Sequence, residues 1–140
     1  MMKTPLVITY NQSIDPATAL PVDAILFVAP PGSEYEVLSV SEAHSVAGTD
    51  GGAVTGDLKK HSAGTTPANG TSVLSSTFDL KSTLNTPVNK TTASGISGNG
   101  QTRRIVGGQM LSVDFTGTLT ALAGMSLTVV LKELRAPTYR

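Results

Sequence analysis

The sequence has no cysteine and no tryptophan, and few of its side chains are charged. The missing cysteine excludes disulfides, cysteine-ligated zinc and thiol catalysis. Ten basic side chains balance ten acidic ones, so the chain lacks the basic excess with which nucleic-acid-binding proteins neutralise phosphates. We therefore predict no nucleic-acid partner.

Long hydrophobic runs are also missing. The longest apolar run, residues 24–30, is far shorter than a membrane span. After Lys3, the N-terminal region has only three consecutive apolar residues, Leu6, Val7 and Ile8, which are too few for the apolar part of a signal peptide. We predict no membrane partner and synthesis in a cytoplasm without export by the usual route.

Motifs for chemistry are weak. The two histidines, His44 and His61, belong to no nucleophile motif, and we interpret both as structural or solvated. Residues 104–108, Arg-Ile-Val-Gly-Gly, match the activation site of chymotrypsin-like proteases, but no histidine follows them to complete a triad. Asp50 and Asp57 lack the spacing of a calcium loop. We predict that the protein is not an enzyme and takes no metal, cofactor or small-molecule substrate.

Serine, threonine and glycine are abundant instead, with 33 serines and threonines together and 14 glycines. Threonine and valine favour pleated strands, whereas glycine, serine, asparagine and proline favour the turns between them. A chain of 140 residues is long enough to bury one hydrophobic core. We therefore predict one all-β domain over residues 1–140, with extended segments at 1–5 and 135–140.

Short apolar segments separated by turn residues indicate about eight strands. In residues 111–115 and 127–131 apolar and polar side chains alternate, which is typical of strands with one buried face. The prediction is an antiparallel β-sandwich, jelly-roll-like, with little or no helix. The other candidate strands are residues 6–10, 24–29, 35–44, 53–60 and 87–92. Residues 72–80 could begin with a short helical turn capped by Ser72 or form a strand with Phe78 and Leu80 inward, and we favour a turn that leads into a strand.

Four details of this sandwich follow from local patterns. Residues 24–29 are apolar on both faces, which predicts a central, fully buried strand. In the next strand Leu38 and Val40 are expected on one face and Val37 on the other. The glycine-rich residues 48–52 are typical of a hairpin turn. Residues 94–100, which are small and polar around Ile96, predict a mobile loop.

Five side chains are candidate partner contacts. Arg103 and Arg104 would project to opposite faces of a strand, where they could meet carboxylates of a partner or lie in solvent. Arg135, Tyr139 and Arg140 belong to a basic C-terminal segment. This segment could lie along a neighbouring subunit with Tyr139 as its anchor, or it could fray.

Small residues form a pattern in four stretches: 47–54 (AGTDGGAV), 64–74 (GTTPANGTSVL), 78–86 (FDLKSTLNT) and 111–120 (LSVDFTGTLT). This pattern resembles the tailed-phage capsid decoration proteins, also called cement proteins. The resemblance covers about two-thirds of the chain and departs from the expected pattern at residues 95–108.

The resemblance implies a β-sandwich on the outer surface of an icosahedral shell of HK97-type coat proteins, where it bridges neighbouring copies of the major capsid protein. It also implies a homodimer or a trimer, synthesis in the host bacterial cytoplasm and a final location on the virion. The alternative is a receptor- or glycan-binding β-sandwich module of a phage tail or fibre. That alternative would need a cluster of exposed aromatic side chains, which the sequence lacks.

Overall fold

The computed structural model describes residues 4–12, 23–49 and 51–139. These residues form ten strands and one 3₁₀ turn, Pro67–Asn69, and none of their helical turns is long and apolar enough to cross a membrane. The strands are β1 Leu6–Asn11, β2 Ala24–Val28, β3 Glu34–Ala43, β4 Thr55–His61, β5 Thr71–Ser72, β6 Phe78–Asp79, β7 Val88–Thr91, β8 Arg104–Val106, β9 Met110–Thr116 and β10 Ser126–Arg135.

Two antiparallel sheets share these strands. The first sheet has the order β1-β10-β3, with β7 and β8 both paired to the other side of β3. The second sheet has the order β2-β9-β4, with β5 and β6 both paired to the other side of β4. When β7 and β8 are counted as one position in the first sheet, and β5 and β6 as one position in the second, the sandwich has eight strand positions. Their order is that of a jelly roll. The predicted sandwich is confirmed, and ten strands are found because two positions are each split into two short strands.

Apolar side chains of the central strands fill the space between the sheets. Leu111 and Val113 on β9 face Val129 and Leu131 on β10, and each of the four is at most 1% exposed. The predicted alternation on both strands is confirmed on this inner side. On the outer side of β9, however, Ser112 is buried as well.

A β-bulge interrupts β3. Its register with β10 shifts between Val130 and Leu131 and skips Leu38. Val37 and Val40 consequently both reach the core, where neither has any exposed surface, while Leu38 is only partly buried. The expectation that Val37 and Val40 lie on opposite faces is wrong, because the extra residue of a bulge reverses the alternation.

Strand β2 occupies the edge of the second sheet, next to β9 alone among the described strands. Ile25 and Val28 are 54% and 57% exposed. The prediction of a central, fully buried strand over residues 24–29 is therefore wrong. An apolar run identifies a strand, but its composition does not say whether a neighbour pairs with it on one side or on both.

The glycine-rich connection after β3 also differs from its prediction. It leads from β3 in the first sheet to β4 in the second, so it crosses between sheets and is not a hairpin. The predicted strand over 53–60 exists as β4, but it pairs with β9. Glycine-rich residues favour a sharp change of chain direction, and a hairpin and a crossing between sheets both need one.

The C-terminal segment and the 94–100 loop also differ from their predictions. Arg135 ends β10, so the C-terminal extended segment begins at Ala136. Ile96 is buried in the core and anchors the loop that the sequence predicts to be mobile. Asp50, Arg140 and residues 1–3 of the predicted N-terminal extension lie outside the described residues.

Candidate functional site

The outer side of the first sheet carries an uncharged field of small side chains. Side chains alternate along a strand, so residues between buried neighbours point outward. Thr128 of β10, for example, lies between the buried Leu127 and Val129. We call this surface the hydroxyl face. Its members are Val7, Thr9, Asn11, Ser39, Ser41, Ala43, Asn89, Thr91, Ser126, Thr128 and Val130.

Strand register places the polar members of the hydroxyl face in rows. Thr9 lies opposite Thr128, Thr128 opposite Ser41, and Ser41 opposite Asn89. The side chains of these four residues form no hydrogen bond with another described residue. Within the described part of the chain, their donors and acceptors are therefore unused.

The size of the hydroxyl face follows from sheet geometry. Strands lie about 4.8 Å apart and alternate residues of one strand about 6.8 Å apart, so each outward residue occupies about 33 Å². The eleven members of the face then cover about 360 Å². A standard protein–protein interface buries about 800 Å² on each partner. The face of one copy supplies less than half of that.

Charged side chains border one end of the hydroxyl face. The Nε atom of Arg103 lies 2.7 Å from Oε1 of Glu36, and its Nη1 donates to the carbonyl oxygens of Ser97 and Gly98. Nη1 of Arg104 lies 3.4 Å from Oε1 of Glu34. The carboxylates that the two arginines meet thus belong to this chain. Partly exposed ion pairs of this kind contribute about 0 to 1 kcal/mol each.

The C-terminal segment lies against the turn before β3. Arg135 Nε donates to the carbonyl oxygen of Gly32 over 2.7 Å, and the Thr138 amide donates to that of Pro31 over 2.9 Å. Gly32 adopts φ +75, and a Cβ there would lie 2.5 Å from Thr138 Oγ1. Of the predicted contacts, Arg135 is therefore held by its own chain, whereas Tyr139 is 83% exposed.

A second group of polar side chains lies on the outer side of the second sheet. Asp57 of β4 is directly opposite Asp114 of β9, and Lys59 Nζ lies 2.7 Å from Asp114 Oδ2. Ser72 Oγ donates to Asp57 Oδ1 over 2.7 Å. Burial raises the pKa of Asp57, and the hydrogen bond from Ser72 acts against that rise.

The same strands bring a histidine to a serine. Nε2 of His61 lies 2.7 Å from Oγ of Ser112, while Nδ1 of His61 is buried without a hydrogen-bond partner in the described chain. A serine nucleophile needs an exposed hydroxyl and a third group that orients the histidine. Ser112 has no exposed surface, and no carboxylate of the described residues reaches Nδ1. The described part of the chain therefore gives this pair neither of these two features of a serine nucleophile.

A shallow groove of about 200 Å³ opens beside His61, between the 62–71 loop and Gln109. It is smaller than the 300 to 1,000 Å³ typical of small-molecule sites. Lys60 donates to the carbonyl oxygens of Gln101 and Arg104, so its ammonium group is already engaged. No group of three histidine or acidic side chains in the described residues could hold a metal ion.

A buried contact between a histidine and a glutamate holds the loop between β6 and β7. Nδ1 of His44 lies 2.8 Å from Oε1 of Glu42, and Nε2 of His44 lies 3.2 Å from the carbonyl oxygen of Ser82. Both side chains are almost completely buried. Burial raises the pKa of Glu42, and the hydrogen bond with His44 opposes the rise. The amide of Asn85 donates to the His44 carbonyl, which fixes the loop a second time.

Sequence reasoning identified the strands of the hydroxyl face without recognising the face itself. Threonine and serine at alternate positions of β10 and β3 were a visible signal. That they lie side by side depends on the pairing of β1 with β10 and of β10 with β3, and these strands are more than 80 residues apart in the chain. Arg103 and Arg104 lie at its border and not within it.

Comparison of the chain with known protein families and with curated proteins finds no match in either set.

Proposed function

We propose that this protein attaches to the outer surface of an assembled HK97-type phage capsid and stabilises the shell by bridging neighbouring major capsid proteins. The support is the resemblance of the sequence pattern to that of capsid decoration proteins together with one structural observation, the hydroxyl face. In this proposal the hydroxyl face lies against the shell, and the protein is a component of the virion.

The chemistry of the hydroxyl face suits a protein partner. Burying a charged group without a partner is costly, and the face contains no charged side chain. Its hydroxyl and amide groups, exemplified by Thr9, Thr128 and Asn89, can donate and accept hydrogen bonds across an interface. Val7 and Val130 add a small apolar area beside them. Charged side chains are depleted from the core of protein interfaces and lie at the polar rim, and the hydroxyl face with its charged border has this distribution of charge.

A repeated shell suits a contact of modest size. Because the hydroxyl face of one copy covers only about 360 Å², a single contact is expected to be weak. Attachment of one decoration unit to two neighbouring subunits makes the second contact intramolecular and raises the overall affinity. The same two-point attachment is what holds neighbouring capsid proteins together against internal pressure.

The alternative, a receptor- or glycan-binding module, receives less support. Of the three tyrosines and three phenylalanines, Tyr139 is the only exposed one, and the other five are at least partly buried. A sugar-binding surface usually presents several aromatic platforms, and a lone side chain near the C-terminus does not make one.

Co-sedimentation with undecorated capsids tests the proposal. The capsids are assembled from the major capsid protein encoded in the same genome and mixed with the purified chain at micromolar concentration. The proposal predicts that the chain pellets with the capsids and that Thr128→Lys, which places a charge in the hydroxyl face, weakens this binding at least about tenfold.

Thr77→Lys is the matched control, because Thr77 is an exposed threonine between β5 and β6 of the second sheet. It should bind like the parent chain. Recovery of the parent chain in the supernatant would refute capsid binding. Equal binding by both lysine variants would refute the role of the hydroxyl face.

A further inference from the structure

Among the described strands, β1 forms the edge of the first sheet, and nothing within its sequence protects that edge. Natural edge strands are usually blunted by charged side chains, proline, a bulge or a cover. Within Leu6–Asn11 there is no charge and no proline, and its register with β10 runs without a shift. Val7 is 57% exposed, and Thr9 and Asn11 are exposed too. The edge of the second sheet differs, since β2 carries a bulge between Ile25 and Phe27.

The direction of the backbone groups on β1 follows from one hydrogen bond. The Gln12 amide donates to the carbonyl oxygen of Met125 over 2.8 Å, and these residues continue the register that sets Asn11 opposite Ser126. Hydrogen-bonded and non-bonded pairs alternate along an antiparallel ladder. The even-numbered residues of β1 therefore bond to β10. The odd-numbered residues Val7, Thr9 and Asn11 turn their N–H and C=O groups outward, where no strand of the described chain meets them.

We propose that β1 pairs antiparallel with β1 of a second copy about a two-fold axis at Thr9. Thr9 then lies opposite Thr9 of the second copy, and Val7 opposite Asn11 of the second copy on either side. Each of these three pairs exchanges two N–H···O=C hydrogen bonds. A register centred on Ile8 is poorer, because it sets Asn11 opposite Pro5, which has no N–H.

Side-chain positions fit the same register. Residues directly opposite each other in a sheet point to the same face. Val7, Thr9 and Asn11 all belong to the hydroxyl face, so both copies present that face on the same side of the joined sheet. Near a two-fold axis each side chain approaches its own copy, so that a charge would meet a like charge. β1, the strand at the axis, has no charged side chain.

The pairing does not depend on capsid binding, but it enlarges the surface proposed for that contact. Two hydroxyl faces joined at β1 cover about 720 Å², close to the 800 Å² per partner of a standard interface. One dimer would then present a continuous face large enough for stable docking across two neighbouring subunits.

The molar mass of the free protein in solution tests the pairing without any capsid. Light scattering after size exclusion at about 10 to 100 µM should give twice the 14.4 kDa chain mass. Hydrogen exchange should show protected amides at Val7, Thr9 and Asn11, which no described strand of the same chain protects. A monomer throughout this range would overturn the proposal. So would a trimer, because a two-fold strand pair closes at two copies.

Two substitutions at Thr9 test whether the two copies pair through β1. Thr9→Pro removes an outward N–H and leaves the ladder with β10 intact, as proline is tolerated where the N–H of an edge strand faces outward. Thr9→Lys sets two ammonium groups against each other at the axis. Both should raise the dimer dissociation constant at least about tenfold.

Thr128→Lys is the matched control, since Thr128 lies on the same face opposite Thr9 but away from the edge. It should remain dimeric even though it fails to bind capsids. Dimers that persist in both folded Thr9 variants, with unchanged thermal melting, would overturn the assignment to β1. A dimer that ignores capsids would instead refute the proposed function and leave the pairing intact.

Discussion

Replacing Lys59 by methionine removes the ammonium group that lies beside two carboxylates on the outer side of the second sheet. Asp57 and Asp114 lie directly opposite each other on β4 and β9, and both are at most 9% exposed. Lys59 Nζ lies 2.7 Å from Asp114 Oδ2. Methionine keeps the length of the apolar stem but loses the ammonium group, including its hydrogen bond to the carbonyl oxygen of Ala68.

The expected loss in the free energy of unfolding follows from sheet geometry. Directly opposed residues have Cβ atoms about 5 Å apart, and two unit charges at that distance interact by about 3 kcal/mol at an effective dielectric constant of about 20. Without Lys59 this repulsion is no longer offset. We expect Lys59→Met to lower the free energy of unfolding by about 3 kcal/mol at pH 7, within the 3 to 5 kcal/mol measured for broken buried pairs.

Urea denaturation measures this loss, and a double variant assigns it. Lys59→Met with Asp114→Asn removes the repulsion and should recover most of the stability. Burial and Asp114 both raise the pKa of Asp57, whereas Lys59 lowers it. A folded-state pKa above the unfolded value costs stability as pH rises through it, so the deficit of Lys59→Met should shrink towards acid pH. Lys132→Met on the first sheet is the control. A loss below about 0.5 kcal/mol, or no recovery in the double variant, would refute this reasoning.

Two further predictions concern the Glu42–His44 contact, which holds the loop between β6 and β7, and the turn at Gly117. Burial raises the pKa of Glu42, so its contribution to stability is present at acid pH and is lost as pH rises through the folded-state value. The stability of the parent chain relative to Glu42→Gln should therefore increase from about pH 7.5 to about pH 5, and a constant difference in urea denaturation would contradict this. Gly117 adopts φ +97, and a Cβ there would lie 2.2 Å from the Ala53 carbonyl oxygen. Gly117→Ala should lower the free energy of unfolding by about 2 kcal/mol or more, which a lower Tm would show. Gly98→Ala is the control, because a Cβ at Gly98 meets open space and should leave Tm unchanged. Equal Tm values for the two variants would contradict the steric argument.

Alternating apolar and polar residues, together with turn residues, predicted most of the fold correctly. They located the strands around residues 6–10, 111–115 and 127–131 and indicated two antiparallel sheets. They failed where a long-range partner decides the outcome. Whether β2 is central or at an edge depends on pairing with β9, more than 80 residues away, and the inward position of Val37 depends on a bulge against β10. Neither is encoded in a local pattern.

The candidate surface shows the same limit. The sequence drew attention to Arg103, Arg104 and the C-terminal segment because charges and an exposed tyrosine are conspicuous. The structure places the two arginines in ion pairs with Glu34 and Glu36. The hydroxyl face consists of inconspicuous serines, threonines and valines, and it exists only because strands distant in sequence are neighbours in the first sheet.

A density map of decorated virions tests the central proposal most directly. The proposal predicts that the map shows the β-sandwich on the outer surface of the head. The hydroxyl face of the first sheet should lie towards the coat proteins, and each unit should span two neighbouring subunits. Density on the tail, or a sandwich that contacts the shell through the second sheet, would contradict it.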